Sequence, residues 1–158
     1  MNLRRAQPTE SREVRAWIMA RHYSRTAPPG YAVALEFIEG RERVGAMLLG
    51  RPTSRELDPR QWLELTRMFF VDEAPTNTES RALALMRKWV RTWLPGIRAL
   101  LAYSDPSVGH RGTVYIADGW ACFGRTRNSG HGWANRPGRR VPDGGGRPSR
   151  KLRWVRTP

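Results

Sequence analysis

Residues 62–96 read WLELTRMFFVDEAPTNTESRALALMRKWVRTWLPG, and this stretch decides the fold. Apolar residues alternate from Trp62 to Phe70, which predicts a strand. Its expected faces are Leu63, Leu65, Arg67 and Phe69 on one side and Trp62, Glu64, Thr66, Met68 and Phe70 on the other. Capping residues, namely Thr76, Asn77 and Thr78, then lead into a predicted helix of about 79–94 with one apolar stripe. Pro95 and Gly96 end that helix.

Further elements are predicted on both sides of this strand and helix. They are a short strand at 2–6, a helix at about 9–21, a hairpin at 31–50, a strand at 99–103, a helix at about 110–118, a strand at 120–124 and a final edge strand at 151–156. This order matches the acetyltransferase-like (GNAT) layout. We therefore expect an α/β (α+β) fold whose mixed, mostly antiparallel central sheet is splayed near 62–70 and flanked by helices.

Length and composition predict one domain without a disulfide or a structural zinc. A chain of 158 residues is long enough for one core. Cys122 is the lone cysteine, and the three histidines lack zinc-type spacing. The chain shows no secretory signal and no apolar run of the ~20 residues that cross a bilayer, so we expect a soluble, cytoplasmic protein without a membrane partner.

The positive charge of the chain is concentrated near its C-terminal end. The formal net charge is +14, which favours a polyanionic partner such as nucleic acid. Residues 121–158 hold ten basic side chains against one acid, Asp143. We expect residues 1–124 to form the GNAT-like domain and residues 125–158, rich in glycine, proline and arginine, to be a basic segment of that same domain.

Four polar stretches of the predicted sheet carry a specific resemblance. They are His22-Tyr23-Ser24, Leu65-Thr-Arg-Met-Phe69, Asn77-Thr-Glu-Ser-Arg81 and the run from Tyr103 to Tyr115 that leads to Gly119-Trp120. Together they resemble the Mom family of phage DNA-modification proteins over roughly residues 20–120. The resemblance implies an acetyltransferase-like fold and an enzyme that converts adenine in DNA to an N6-carbamoylmethyl form. It also implies that the modification protects phage DNA from restriction in the host cytoplasm.

Asp105 and Tyr115 are the first candidates for the chemistry. Asp105 follows a predicted strand and precedes a helix, where open α/β sheets usually place functional groups. Its alternative role is a turn or helix-capping aspartate before Pro106. A tyrosine on the following helix serves many acetyltransferases as the acid that protonates the leaving group, and the resemblance assigns this role to Tyr115. The alternative is a core tyrosine with its hydroxyl at the surface.

His22, Tyr23, Arg67 and Ser80 complete the expected catalytic pocket. His22 and Tyr23 lie in the loop region that lines the acceptor pocket of acetyltransferase-like folds, although a loop histidine is more often solvated. Arg67, on an apolar strand face, needs an anion because burying an unpaired charge is costly, and Asp105 or a substrate phosphate would serve. The resemblance also implies a non-haem iron, for which His22, Asp105 and Tyr115 form a possible set of nitrogen and oxygen ligands. Two histidines and one carboxylate are the usual set, and the sequence leaves open whether His110 or His131 approaches His22.

The group donor is not determined by the sequence. Acetyltransferases that use coenzyme A carry a glycine-rich loop before the long helix, whose backbone amides hold the pyrophosphate. Residues 71–80 contain no glycine and three carboxylates instead. Either Asn77, Thr78, Ser80 and the helix N-terminus bind a different donor, or an acyl-CoA donor binds in an altered way. An ordinary capped helix start is the remaining interpretation.

Double-stranded DNA is the expected partner of the C-terminal segment. Its arginines alternate with Trp133 and Trp154, which predicts phosphate contacts and an indole stacked on an exposed base. The candidate DNA-binding residues are Arg125, Arg127, Trp133, Arg136, Arg139 and Arg140. A solvated tail is the alternative for the segment. Two other functions stay open for the whole chain: an N-acyltransferase for a small amine or a protein, and a non-catalytic DNA-binding module.

Overall fold

The computed structural model of the protein describes residues 1–25, 27, 30–127 and 149–158. Within these ranges the strands are β1 (Asn2–Arg5), β2 (Val33–Glu39), β3 (Glu42–Gly50), β4 (Trp62–Phe70), β5 (Ala99–Ser104), β6 (Ala121–Arg125) and β7 (Leu152–Arg156). The α-helices are α1 (Ser11–Arg21), α2 (Thr78–Trp93) and α3 (Thr113–Ala117), with a short 3-10 helix at Pro106–Val108. Apolar periodicity therefore predicted each strand and each α-helix of the described residues.

The strands form one mixed sheet in the order β1-β2-β3-β4-β5-β7-β6. All neighbours pair antiparallel except β4 and β5, which pair in parallel. The prediction of a mixed, mostly antiparallel sheet flanked by helices is confirmed. The prediction that residues 151–156 form an edge strand is wrong, because β7 pairs with β5 on one side and β6 on the other. The edge on this side is β6.

Helices cover the two faces of the sheet unequally. The larger core lies under α2 and α3, and it includes Leu83 and Met86 from α2 and Trp154 from β7. The smaller core lies under α1, where Val14 and Ile18 are fully buried. Because α1 packs against β2, β3 and β4, it covers only one half of its face.

A β-bulge in β4 changes which side chains share a face. Leu48 pairs with Arg67 and Leu49 pairs with Leu65, so Thr66 is the extra residue, and its hydroxyl donates to the Leu48 carbonyl at 3.0 Å. The expected faces of β4 are therefore wrong beyond Leu65. Leu63, Leu65, Met68 and Phe70 face the larger core, whereas Phe69 packs against the smaller core. By alternation, Glu64 and Arg67 lie on the α1 side.

An ionic network attaches α1 to the first three strands. Glu36 in β2 is 1% exposed and accepts from Arg4 Nη2 at 2.7 Å and from Arg43 Nε at 2.6 Å. Arg4 also binds Glu10 at 3.0 Å, and Arg43 also binds Glu13 at 3.2 Å. Since Glu10 and Glu13 lie at the start of α1, the network fixes that helix over the sheet.

Helix α2 begins differently from the expected capped start. Its N-cap residue, Asn77, has a left-handed backbone (φ 68°) and makes no side-chain cap, while the Thr78 hydroxyl donates to the Pro75 carbonyl at 2.6 Å. The first-turn N–H groups of a helix lack intrahelical partners, so this end of α2 stays favourable for an anion. In the part of the chain that the structure describes, no helix has both the length and the apolarity needed to cross a membrane.

Candidate active site

The candidate site lies where β4 and β5 separate. The two strands pair only between Trp62–Leu65 and Ala99–Ala102, so the last residues of β4 have no ladder with β5. This confirms the predicted splay of the sheet. Arg67 lies on the separated part of β4, and Asp105 directly follows β5. The opening therefore receives polar side chains from both strands.

Asp105 caps the short 3-10 helix and is buried. Its Oδ1 accepts from the Ser107 N–H at 3.0 Å and from the Ser107 hydroxyl at 2.6 Å, and its Oδ2 accepts from the Ser149 hydroxyl. Burial opposes ionisation of this carboxyl group, but these hydrogen bonds outweigh it, so the pKa of Asp105 lies below its usual value. Asp105 therefore has the capping role that was expected as an alternative. Its side chain is an ionised carboxylate whose position is fixed by these hydrogen bonds.

Tyr115 is buried at the start of α3. Gly109 and Gly112 adopt positive φ angles of 86° and 84°, which end the 3-10 helix and start α3 later than expected. The Tyr115 ring stacks on Trp154 with centroids 5.7 Å apart and meets Trp120 edge-on at 5.3 Å. A Cβ at position 112 would collide with the Trp154 indole, so glycine is required there. Burial raises the pKa of the Tyr115 hydroxyl well above its usual range and keeps it protonated.

Asp118 fixes α3 against α2 and thereby positions Tyr115. Arg87 binds the Asp118 carboxylate with two hydrogen bonds of 2.9 and 2.8 Å, and the Trp120 indole donates to the same carboxylate at 2.9 Å. Bidentate pairs of this kind fix orientation as well as distance. The Tyr115 ring is therefore held from both of its sides.

Three aromatic rings form a stack at the mouth of the opening. Tyr23 is 52% exposed, and its ring centroid lies 4.3 Å from that of His22 and 4.8 Å from that of His110. Burial, and then the charge of Asp105, raise the pKa of Tyr23. The Tyr23 hydroxyl in turn adds to the raised pKa of Tyr115. Asp105 and Tyr115 therefore both lie within electrostatic range of Tyr23.

Arg67 is a half-buried cation on the α1 side of the opening. Its Nη1 donates to the Thr66 carbonyl at 2.6 Å, and its charge acts on His22, Tyr23 and Glu64. Burial lowers the pKa of Arg67 below its ordinary value. Glu64 provides part of the negative charge that was expected near this cation, because its carboxylate favours the protonated form of Arg67.

Sequence reasoning missed three residues of this cluster, namely Glu64, Ser149 and Lys151. It left open whether His110 approaches His22, and in the structure both histidine rings contact Tyr23. The Lys151 charge acts on His22, Glu64 and Asp105, so the residue that precedes β7 lies near the opening. Glu64 was expected on the face opposite Arg67, and the bulge at Thr66 brings the two together. No local pattern in the sequence gives the position of Ser149 or Lys151, because both reach the site only through the pairing of β7 with β5.

Ser80 lies apart from the ring stack. It is in the first turn of α2, on the side of the sheet opposite α1, and its hydroxyl donates to the Asn77 carbonyl at 3.1 Å. The other expected residues of the pocket, His22, Tyr23, Arg67, Asp105 and Tyr115, gather at the opening. Ser80 would therefore meet a ligand that enters from the α2 side.

The expected iron ligands do not fit a metal site in this arrangement. His22 Nδ1 accepts from the Ser24 N–H at 3.2 Å and lies 2.8 Å from the Ser24 hydroxyl, so the proton of the neutral ring is assigned to Nε2. Asp105 accepts from two serines, and Tyr115 stays protonated. Among the described residues, no three His, Cys, Asp or Glu side chains are grouped to hold a metal ion.

The expected DNA-binding residues fall into two groups. Arg125 ends β6 and Arg127 follows it, and both are exposed. Trp133, Arg136, Arg139 and Arg140 lie outside the described residues. Trp154 was expected to stack on a base, but it is buried in the core and its indole donates to the Ser104 hydroxyl at 2.9 Å. Trp154 is buried because its position on β7 lies on the face of the sheet that α2 and α3 cover.

His22 should make the free energy of unfolding of the protein depend on pH. Burial, together with the positive charges of Arg67, His110 and Lys151, lowers its pKa from 6.5 to about 4. Between these values the unfolded chain binds a proton that the folded chain does not, so the free energy of unfolding should fall as the pH falls through this window. Denaturant unfolding at several pH values measures the slope. The His22→Gln variant should show a flatter curve, and a wild-type curve equally flat would contradict the assignment.

Comparison with known families gives one match that covers most of the chain. A model of the Mom protein family matches residues 5–136. The methylcarbamoylase Mom of Escherichia phage Mu is 31% identical over an alignment of 118 residues, which covers 70% of this chain and 49% of that protein. The chain thus spans about half the length of this relative.

Comparison with solved structures establishes the acetyltransferase (GNAT) fold. An aminoglycoside 6'-N-acetyltransferase complexed with coenzyme A matches with a TM-score of 0.66 and 11% identity, covering 99% of this chain and 97% of that chain. An N-acetyltransferase from Staphylococcus aureus Mu50 matches with a TM-score of 0.65 and 10% identity, covering 99% and 96%. At such identities the likeness concerns the fold alone, and it confirms the predicted layout.

Proposed function

Because the chain belongs to the Mom protein family, we propose that it is a transferase that converts adenine in DNA to the N6-carbamoylmethyl form and protects phage DNA from host restriction. One observation carries the proposal. Tyr23 lies within electrostatic range of both Asp105 and Tyr115, although α3, the loop after α1 and the residue after β5 bring them from different parts of the chain. A carboxylate, a stacking ring and a protonated phenol are suited to binding a base and transferring a group to its amine.

Tyr115 is the acid of the proposed reaction. Transfer forms a bond between carbon and adenine N6, breaks the bond between that carbon and its carrier, and releases one N6 proton, which balances the proton that the carrier gains as it leaves. The carrier leaves with developing negative charge, which a neutral phenol stabilises by donating a hydrogen bond or its proton. Burial raises the pKa of the Tyr115 hydroxyl, which favours stabilisation of the carrier by a hydrogen bond from the neutral phenol.

Asp105 is the residue that we assign to the adenine amine. An ionised carboxylate offers about four acceptor positions. Three of them are used by the Ser107 N–H, the Ser107 hydroxyl and the Ser149 hydroxyl. The fourth, on Oδ2, is the position proposed for an N6 hydrogen. Tyr23, exposed beside Asp105, would stack on the base after it has left the duplex.

The donor is proposed to enter from the α2 side of the opening. Coenzyme A is bound by one structural neighbour of the same fold, which favours a donor on a coenzyme A-like carrier. Because a carbamoylmethyl group joins N6 through its methylene carbon, the bond broken would be the one between that carbon and the carrier. Asn77 leaves the first turn of α2 without a side-chain cap, and Ser80 lies in that turn. The carboxylates of Asp72, Glu73 and Glu79 would repel a pyrophosphate, so its contacts would differ from those of a glycine-rich loop.

Mass spectrometry of nucleosides tests the proposed function. DNA from cells that express the protein should contain a new adenosine derivative with a carbamoylmethyl group, and DNA from cells that express the Tyr115→Phe variant should contain little of it. Acylation of small amines or proteins without any new nucleoside would instead establish an N-acyltransferase. Tight DNA binding with neither product would establish a DNA-binding module.

The basic segment is expected to contribute phosphate contacts. Replacing Arg136, Arg139 and Arg140 with alanine should weaken binding to duplex DNA and reduce the slope of log affinity against log salt by roughly one unit for each arginine that touches a phosphate. Fluorescence anisotropy at several salt concentrations measures both quantities. An unchanged affinity and slope would reduce the segment to a solvated tail.

A further inference from the structure

One half of the α1 face of the sheet is uncovered by the described helices. Helix α1 packs against β2, β3 and β4, whereas α2 and α3 pack on the opposite face. The same face continues across β5, β7 and β6, which are the strands beyond the opening. This continuation begins beside Asp105 and ends at the edge strand.

Strand register identifies the side chains of this open surface. Tyr103 pairs with Arg153, and residues paired across strands share a face. Ala121 pairs with Val155, and the register of β6 shifts between Cys122 and Arg125, where Gly124 has the positive φ (84°) of a bulge residue. Alternation therefore holds up to Phe123, which lies on the same face as Ala121. The alternate residues of β7, Leu152 and Trp154, point to the opposite face and into the larger core. We name the surface of Tyr103, Phe123, Lys151 and Arg153 the open face.

The open face combines positive charge with an exposed aromatic ring. Phe123 is 58% exposed, which is unusual for a phenylalanine, and Arg153 Nη2 donates to its carbonyl at 3.4 Å. Lys151 and Arg153 are exposed, and the charge of Arg153 acts on Tyr103. Strands β5, β6 and β7 contain no acidic residue. A surface of this kind complements a polyanion with stacked bases.

We propose that duplex DNA docks on the open face, with phosphates against Lys151 and Arg153 and with the Phe123 ring against the base stack. Neighbouring strands lie about 4.8 Å apart, so Phe123 is roughly 10 Å across the sheet from Tyr103. A duplex bound there has an adenine within reach of the opening that holds Asp105. The role of this docking site in adenine modification rests on the proposed function. The binding experiment that tests the site does not depend on that function.

Equilibrium binding to an unmodified duplex oligonucleotide tests the open face. The Arg153→Ala variant should bind about tenfold more weakly at low salt, with the slope of log affinity against log salt reduced by about one unit. The Arg153→Lys variant should retain the slope. The Phe123→Ala variant should bind about fivefold or more weakly with an unchanged slope, because the ring is uncharged and acts by stacking.

Helix α2 provides a matched control for each variant. Arg91 is exposed on α2, and Trp93 on the same helix is 67% exposed. Both lie on the side of the sheet away from the open face, so the Arg91→Ala and Trp93→Ala variants should bind DNA as the wild type does. Thermal unfolding should show that all of these variants are folded.

The outcomes separate this proposal from the proposed function. If the open-face variants lose affinity and the control variants do not, the docking site stands, even where nucleoside analysis finds no modified adenine. If the two sets of variants bind alike, the proposal is overturned, even where adenine is modified. Light scattering gives a further test, since a wild-type dimer that Phe123→Ala converts to a monomer would make this surface a contact between two copies.

Discussion

The Tyr115→Phe variant is expected to modify adenine ~100-fold or more slowly than the wild type while folding as stably. Phenylalanine keeps the ring that packs between Trp120 and Trp154 and removes only the hydroxyl. Because burial holds that hydroxyl protonated, its loss removes a donor that every wild-type molecule carries at neutral pH. The rate is measured by counting modified nucleosides over time in a duplex incubated with the protein and a cell extract that supplies the donor.

A second tyrosine provides the control for this variant. Tyr31 packs against the smaller core under α1, away from the larger core that holds Tyr115. The Tyr31→Phe variant should therefore modify adenine at close to the wild-type rate. The free energy of unfolding should change by no more than about 1 kcal/mol for Tyr115→Phe, because only one hydroxyl is removed and the packed ring stays. A near-normal rate in Tyr115→Phe would remove this residue from the chemistry and leave it a core tyrosine.

The Glu36→Ala variant is expected to lose about 3 kcal/mol of unfolding free energy, because it leaves the cation of Arg43 without its buried carboxylate. Arg43 is only 16% exposed and binds Glu36 at 2.6 Å. Arg4 loses its 2.7 Å contact with Glu36 in the same variant. Urea denaturation measures the loss, which should be accompanied by a weaker hold on α1 and on the His22–Tyr23 segment that follows it.

An exposed partner of Arg43 is the matched control for the buried one. Glu13 is 73% exposed and binds Arg43 at 3.2 Å. Since exposed ion pairs contribute little, the Glu13→Ala variant should lose less than about 1 kcal/mol. Equal losses for Glu13→Ala and Glu36→Ala would show that the burial of Glu36 has no special effect on stability.

The sequence was most informative where a single element determines the outcome. Periodicity alone located α2, because its apolar stripe has to face the sheet, and the loop after β5 indicated Asp105 as a site residue. The relation of Glu64 to Arg67 was predicted incorrectly, since a bulge at Thr66 depends on how β3 and β4 fit together. A strictly alternating pattern does not predict an extra residue in one strand.

Long-range pairing explains the remaining differences. Residues 151–156 were predicted to form an edge strand, whereas β7 enters the sheet between β5 and β6. That placement buries Trp154 and brings Lys151 to the opening, and neither result follows from residues near them in sequence. Similarly, His110 meets Tyr23 only because the 3-10 helix turns the chain back toward α1.

The contact between Gly112 and Trp154 limits how this sequence can diverge. A side chain at 112 would need the space of the indole, and a smaller residue at 154 would provide that space but leave the Tyr115 ring without its stacking partner. A substitution at Gly112 or at Trp154 alone should disturb the packing around Tyr115. Substitutions at the two positions are therefore expected to occur together in related sequences. For the same reason, α3 and β7 depend on each other for packing. A chimera that receives the α3 segment of a relative should fold well only if it also receives that relative's last strand.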